Sequence, residues 1–231
     1  MATKQSMKMV VGICLVWCLA AACLGRAEGT NDAQEDTSYV KDGFYLGALG
    51  VYNSMSGDFD DTKFFTGPGV GIDVPDVGSG VGFGVVAGVR SGRGAVEFGY
   101  QRSTHDTVSS FTDMGEGGKS TAAYNVIDLN VKIDVLTKSR FRPYVLFGVG
   151  IPWMTIKDSV MDAGGGIEDA TFVGFCLNAG AGVAYYFRPQ WAVTGGTIFR
   201  WNRFGSAEGT SLESSLTENA LGFTVGIAYT F

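Results

Sequence analysis

The sequence predicts an all-β chain folded as an eight-stranded antiparallel up-and-down transmembrane β-barrel, with short periplasmic turns and long extracellular loops. Three observations carry the prediction. Residues 221–231 (LGFTVGIAYTF) alternate between large apolar side chains and glycine, alanine or threonine. Side chains along a strand point to opposite faces, so this segment has one greasy face and one small, uncharged face, which suits lipid on one side better than a soluble sheet does. Seven earlier segments alternate as well, and the links between consecutive segments are in turn long and short.

The N-terminus supplies the export route. Lys4 and Lys8 precede an apolar run over residues 9–24, followed by Gly25-Arg26-Ala27, small residues at the two positions that a signal peptidase reads. Cleavage is expected between Ala27 and Glu28, making 1–27 a signal peptide, 28–41 a short N-terminal periplasmic segment and 42–231 the barrel. The run is shorter than the roughly 20 apolar residues of a spanning helix. A second processing route stays open, because Ala20-Ala21-Ala22-Cys23 loosely resembles a lipobox whose cysteine is lipidated.

Cleavage after Ala27 removes Cys14, Cys18 and Cys23, so only Cys176 remains of the four cysteines and no intramolecular disulfide can form. The signal carries Lys4, Lys8 and Arg26 and no acid. The mature chain therefore has three fewer than the 17 basic residues against all 23 acidic ones, a net charge near −9. That balance argues against nucleic acid as a partner. Glycine is frequent (35) and proline scarce (5), a composition that fits tightly curved sheet rather than linker.

Alternation places the strands at 43–52, 80–90, 95–104, 122–136, 141–156, 171–187, 191–203 and 219–231. Each reaches the roughly 9–11 residues that a tilted membrane strand needs. The fourth is the cleanest: Ile127, Leu129, Val131, Ile133 and Val135 share one face, and Asp128, Asn130, Lys132 and Asp134 the other. Charges on such a strand belong in the lumen. Links 91–94, 137–140 and 188–190 are short. Links 53–79, 105–121, 157–170 and 204–218 are long, and the first contains GPGVGIDVPDVGSG, which reads as mobile loop. Pro152 removes a ladder donor, so a bulge or fraying is expected there. Aromatics suggest two interfacial belts. Phe44, Tyr45, Tyr144, Tyr185, Tyr186, Phe187, Trp191, Tyr229 and Phe231 fall near the periplasmic ends, and Tyr52, Tyr100, Tyr124, Trp153, Phe172 and Trp201 near the outer ends.

Together the signal, eight alternating strands, four long loops and the final Tyr229-Thr230-Phe231 resemble the small eight-stranded bacterial outer-membrane barrels, the OmpA-transmembrane, OmpX and Opa-like opacity group. The resemblance implies residence in the outer membrane among lipid and lipopolysaccharide. It also implies insertion by the barrel assembly machinery, with Tyr229 and Phe231 as the C-terminal assembly signal.

Inward parity collects Arg90, Glu97, Asp128, Lys132, Asp134, Arg142 and Arg200, all but Asp128 and Arg200 toward the periplasmic half. Enclosed charges persist only when paired or hydrated, so a lumenal salt-bridge network is expected. Eight strands leave an interior that side chains can fill, favouring a plug over an ion path. No cofactor is expected: DFDDTKFF lacks the glycine and glutamate of a calcium loop, and the glycine-rich stretch precedes no helix. His105 lies at the outer rim beside Asp106 and two residues after Ser103, which raises lipid A modification. Adjacent residues face opposite ways, however, and a triad needs geometry that this spacing does not supply. The resulting expectation is a non-enzymatic surface barrel with a structural or interactive role and an unknown loop ligand. A narrow solute channel is the alternative, and a lipid A-modifying enzyme the more distant one.

Overall fold

The computed structural model describes residues 39–57, 62–67, 70–74, 76–108, 119–161, 167–205 and 216–231. The signal region, the cleavage site Ala27–Glu28 and the loop acids Asp58, Asp60 and Asp61 lie outside them. The described residues contain ten strands: β1 Gly43–Gly57, β2 Thr62–Gly67, β3 Val70–Val74, β4 Asp76–Ser91, β5 Gly94–Val108, β6 Lys119–Asp134, β7 Phe141–Met161, β8 Ile167–Arg188, β9 Trp191–Phe204 and β10 Leu216–Thr230. Eight of them run in the order β7-β6-β5-β4-β1-β10-β9-β8, and β7 pairs with β8 to close the ring. Every pairing around the ring is antiparallel.

The seam between first and last strand extends from Tyr45↔Thr230 to Gly57↔Glu218. The terminal Phe231 amide adds one more bond, donating to the Phe44 carbonyl at 2.9 Å. Closure leaves none of these eight strands with an open edge, the condition for a sheet to sit in hydrocarbon. Alternation then decides the faces. Leu221, Phe223, Val225 and Ile227 of β10 are exposed on the outside, Val225 at 64 %. At the first periplasmic turn Gly92 takes φ +57°, a conformation that favours glycine, and its amide donates to Asp42 Oδ2 at 2.9 Å.

The strands run past the expected outer boundaries. The long link 53–79 contains the β2–β3 hairpin, and β3 pairs with the outer end of β7 at Gly71↔Met161 and Ile72↔Val160. Glycine and proline there masked the alternation, and above the membrane nothing limits strand length to the hydrocarbon thickness. Pro152 brings no bulge, since it opposes Val126 and the register with β8 is the same at Gly150↔Cys176 and Trp153↔Val173, but the β7–β8 pairing lapses at Ile151 and Pro152 between them, as a missing ladder donor implies.

The belts are narrower than the sequence suggested. Tyr45, Tyr124, Tyr186 and Phe172 are buried inside the barrel. Tyr144 also points inward, its hydroxyl meeting Gly182 and Gly196. The residues that face outward form a linked periplasmic girdle: Phe187 to Trp191, Trp191 to Tyr229, Tyr229 to Phe231 and Phe231 to Phe44, with centroids 6.4, 4.8, 5.0 and 5.6 Å apart.

Glycines make room for the inward rings. A Cβ at Gly88 would come within 2.5 Å of Tyr45 Cζ, and one at Gly182 within 2.5 Å of both Tyr144 Oη and the Gly195 carbonyl. Because a backbone carbonyl cannot move aside, Gly182→Ala is expected to cost about 1–3 kcal/mol of unfolding free energy, read from urea midpoints in lipid vesicles. Gly50→Ala, whose Cβ would find its nearest neighbours at 3.7 and 3.8 Å, should not lower the midpoint.

Candidate functional site

The site is the lumen, which the strands fill in three layers. At the periplasmic end Val40, Ala184, Tyr186 and Ala192 form an apolar cluster with Tyr39 and Tyr144 against it. The Tyr39 hydroxyl donates to the Phe187 carbonyl at 3.3 Å, and the Lys41 amide to the Pro189 carbonyl at 3.3 Å, so the segment ahead of β1 folds across the barrel mouth. Just inside it Asp134 is held between Arg90 and Arg142, the latter at 3.3 Å. Arg142 also donates to the Thr137 carbonyl at 2.6 Å and the Ser139 carbonyl at 3.4 Å, tying off the short turn below it.

The middle layer is polar. Glu97 accepts from Lys132 at 3.1 Å and from the Tyr45 hydroxyl at 2.6 Å, while Lys132 Nζ lies 4.0 Å from the Tyr144 ring centroid. Arg200 pairs with Asp128 at 3.2 Å, and Asn130 donates to Asp128 at 2.6 Å and accepts from Asn178 at 3.0 Å. Tyr45, Glu97, Asp128, Asn130, Lys132 and Tyr144 border a cavity of about 70 Å³ that Thr194, Gly196, Thr197, Thr224 and Ala228 also line. Gln101 lines it too, and its Oε1 has no protein partner. Leu49, Val86, Leu146, Ile198 and Ile227 belong to its lining as well, so the cavity is mixed, with its polar groups, the orphan acceptor among them, as partners for a water.

The outer layer is built on a large apolar cluster. Met55, Val77, Tyr124, Val126, Met154, Ile156, Phe172, Phe204 and Leu216 pack as one cluster, with Tyr124 0 % and Phe172 1 % exposed. Polar side chains share this level: Asn53, Ser103, His105, Thr107 and Glu218 are buried beside the cluster, the Tyr124 hydroxyl donates to Asn202 Oδ1 at 3.0 Å, and Asn202 donates to the Glu218 carbonyl at 3.1 Å.

All seven charged residues expected in the lumen lie there, in three groups: Arg90–Asp134–Arg142, Glu97–Lys132 and Asp128–Arg200. The sequence reading missed the apolar layer. Its signal was present, since Tyr124 and Val126 continue the inward parity of Asp128, and Phe172 that of Cys176. Assigning rim aromatics to belts concealed it.

A Ser–His contact was also missed. Ser103 and His105 share the inner face, with Ser103 Oγ 2.9 Å from His105 Nε2 and His105 Nδ1 2.8 Å from the Gly78 carbonyl. The carbonyl can only accept, so Nδ1 carries the proton and Nε2 accepts from the Ser103 hydroxyl. Asn53 donates to the same Oγ at 2.9 Å. Both residues are closed off, at 1 % and 0 % exposure, and Asp106 is exposed on the opposite face. Asp73 and Asp76, further acids of the long link 53–79, fall in β3 and β4.

Removing one member of a buried charge group is far costlier than never having placed it. Asp134→Asn should therefore lower the unfolding free energy by about 3–5 kcal/mol in urea titrations, because two arginines lose their shared counter-charge. Adding Arg142→Gln in that background should restore part of the loss.

Solved structures with this architecture include Neisserial surface protein A, 17 % identical, covering 81 % of this chain and 97 % of its own, with a TM-score of 0.54. Another is the attachment invasion locus protein Ail of Yersinia pestis, 12 % identical, covering 83 % and 100 %, with a TM-score of 0.47. Identities this low speak to fold alone. Comparison with curated protein sequences finds no match. The family model described as the outer membrane protein beta-barrel domain matches residues 15–231, and the chain belongs to that family.

Proposed function

We propose that this outer-membrane barrel is a closed, non-conducting and non-enzymatic platform that displays its outer loops at the cell surface, where they serve a structural or interactive role. The observation that supports this most is the apolar layer across the outer half of the lumen, from Tyr124 and Met154 to Phe172 and Phe204. Ions crossing at this level would have to shed hydration between these apolar side chains and the hydrogen-bonded Asn53, Ser103, His105 and Asn202, which fill the rest of the cross-section. Below it, Arg90, Asp134 and Arg142 fill the barrel with mutually paired charge rather than leaving a lined path.

Cleavage after Ala27, insertion by the barrel assembly machinery through Tyr229 and Phe231, and neighbouring lipopolysaccharide belong to the same proposal. The inaccessibility of Ser103 and His105 favours a structural hydrogen-bond chain over lipid chemistry. The mid-barrel cavity is the one feature that favours a narrow channel instead.

Planar-bilayer recording with purified protein separates the two. The closed platform gives no stepwise conductance, whereas reproducible unitary steps would make the barrel a channel. His105→Ala should leave the pattern of lipid A species in overexpressing cells unchanged.

A further inference from the structure

On the outer surface, the rung formed by Phe83 of β4, Arg102 of β5, Asn125 of β6, Trp153 of β7 and Val173 of β8 runs in register across five strands. Its two ends are apolar and exposed, Phe83 at 56 % and Val173 at 45 %. Outward side chains below this rung, such as Phe98, Ile127 and Ile151, are apolar. Those above it on β5 are Thr104 and Asp106. On β5, Arg102 therefore marks the outer edge of the hydrocarbon band.

Two details set the rung apart. Tyr100 and Trp153 stack at 6.2 Å and 28° across β6, and beneath them Asn125 is buried although it points outward, accepting from the Tyr100 hydroxyl at 3.0 Å. The aromatic platform is thus preformed. Beside it Arg102 is exposed and has no hydrogen-bond or ion-pair partner among the described residues. The next acid on that face, Asp106, is four residues along the strand, about 13 Å away. A guanidinium at hydrocarbon depth reaches for the headgroup region, and its planar fork matches phosphate.

We propose that Arg102, with the Tyr100–Trp153 platform, binds the phosphate-bearing sugar headgroup of an outer-leaflet glycolipid, phosphate on the guanidinium and sugar face on the rings. This rests on the outer-membrane barrel reading and not on whether the lumen conducts. It places a lipid contact at one position on the circumference.

The test uses the folded protein in phosphatidylcholine vesicles, alone or with a bis-phosphorylated glycolipid, with the same glycolipid dephosphorylated, or with inorganic phosphate in the buffer. The readout is the temperature midpoint of the heat-modifiable gel shift. Phosphorylated glycolipid alone should raise the midpoint by about 4 °C. Arg102→Gln should keep the phosphatidylcholine midpoint and lose most of the rise, Arg102→Lys should retain part, and Trp153→Leu should reduce it. A full rise in Arg102→Gln overturns the proposal, as does an equal rise with dephosphorylated glycolipid or inorganic phosphate, or no rise in the unaltered protein. Failure to form a heat-modifiable species in plain phosphatidylcholine would instead refute the barrel reading itself.

Discussion

In hydrocarbon a backbone amide or carbonyl has no water to turn to, and every other feature of this molecule follows from that constraint. The sheet must close on itself, which it does at the β1–β10 seam and the β7–β8 pairing. Closing with eight strands leaves a lumen too narrow for bulk solvent but too wide for small side chains alone to fill. Large residues such as Tyr45, Tyr144 and Arg200 must lie across the interior, and glycines must stand opposite them. Gly88, Gly182 and Gly222 occupy those positions.

How the lumen is filled then differs along the axis. Toward the periplasm the interior is charged and internally paired, four cations against three carboxylates, with Asp134 shared by Arg90 and Arg142. Buried pairs of this kind add little net stability, but they make any mispaired arrangement very costly and so hold the strands in register. Toward the outside the lumen holds a large apolar cluster, with Asn53, Ser103, His105, Asn202 and Glu218 buried beside it, and this cluster gains by burial what the charged layer does not. The extended strand ends and the β2–β3 hairpin belong to this outer part, where the chain is a protein in water rather than a wall in lipid.

Much of this was legible in the residues. Alternation in 127–135 and 221–231 identified both faces, and loop-length asymmetry identified topology and strand count. Parity alone brought Arg90, Glu97, Asp128, Lys132, Asp134, Arg142 and Arg200 to the interior. What escaped was depth. Period two says which face a side chain takes, not whether that face meets lipid, water or core at a given height, so Tyr124 and Phe172 looked like belt residues. The i, i+2 spacing of Ser103 and His105 puts both on one face, but the hydrogen-bond chain they join also draws on Asn53 of β1 and Gly78 of β4, which no spacing within β5 reveals.

The account stands on a lumen that solvent does not cross, and Cys176 reports on it directly. Its thiol sits at the junction of the apolar layer and the polar middle, fully buried and donating to Asn178 Oδ1 at 3.4 Å. In the chain beginning at Glu28 it is the single cysteine. A small, charged, membrane-impermeant thiol reagent added to the folded barrel in vesicles should leave Cys176 unmodified until heat and urea unfold it. Prompt labelling in the folded state, at a rate near that of the unfolded chain, would contradict a filled lumen.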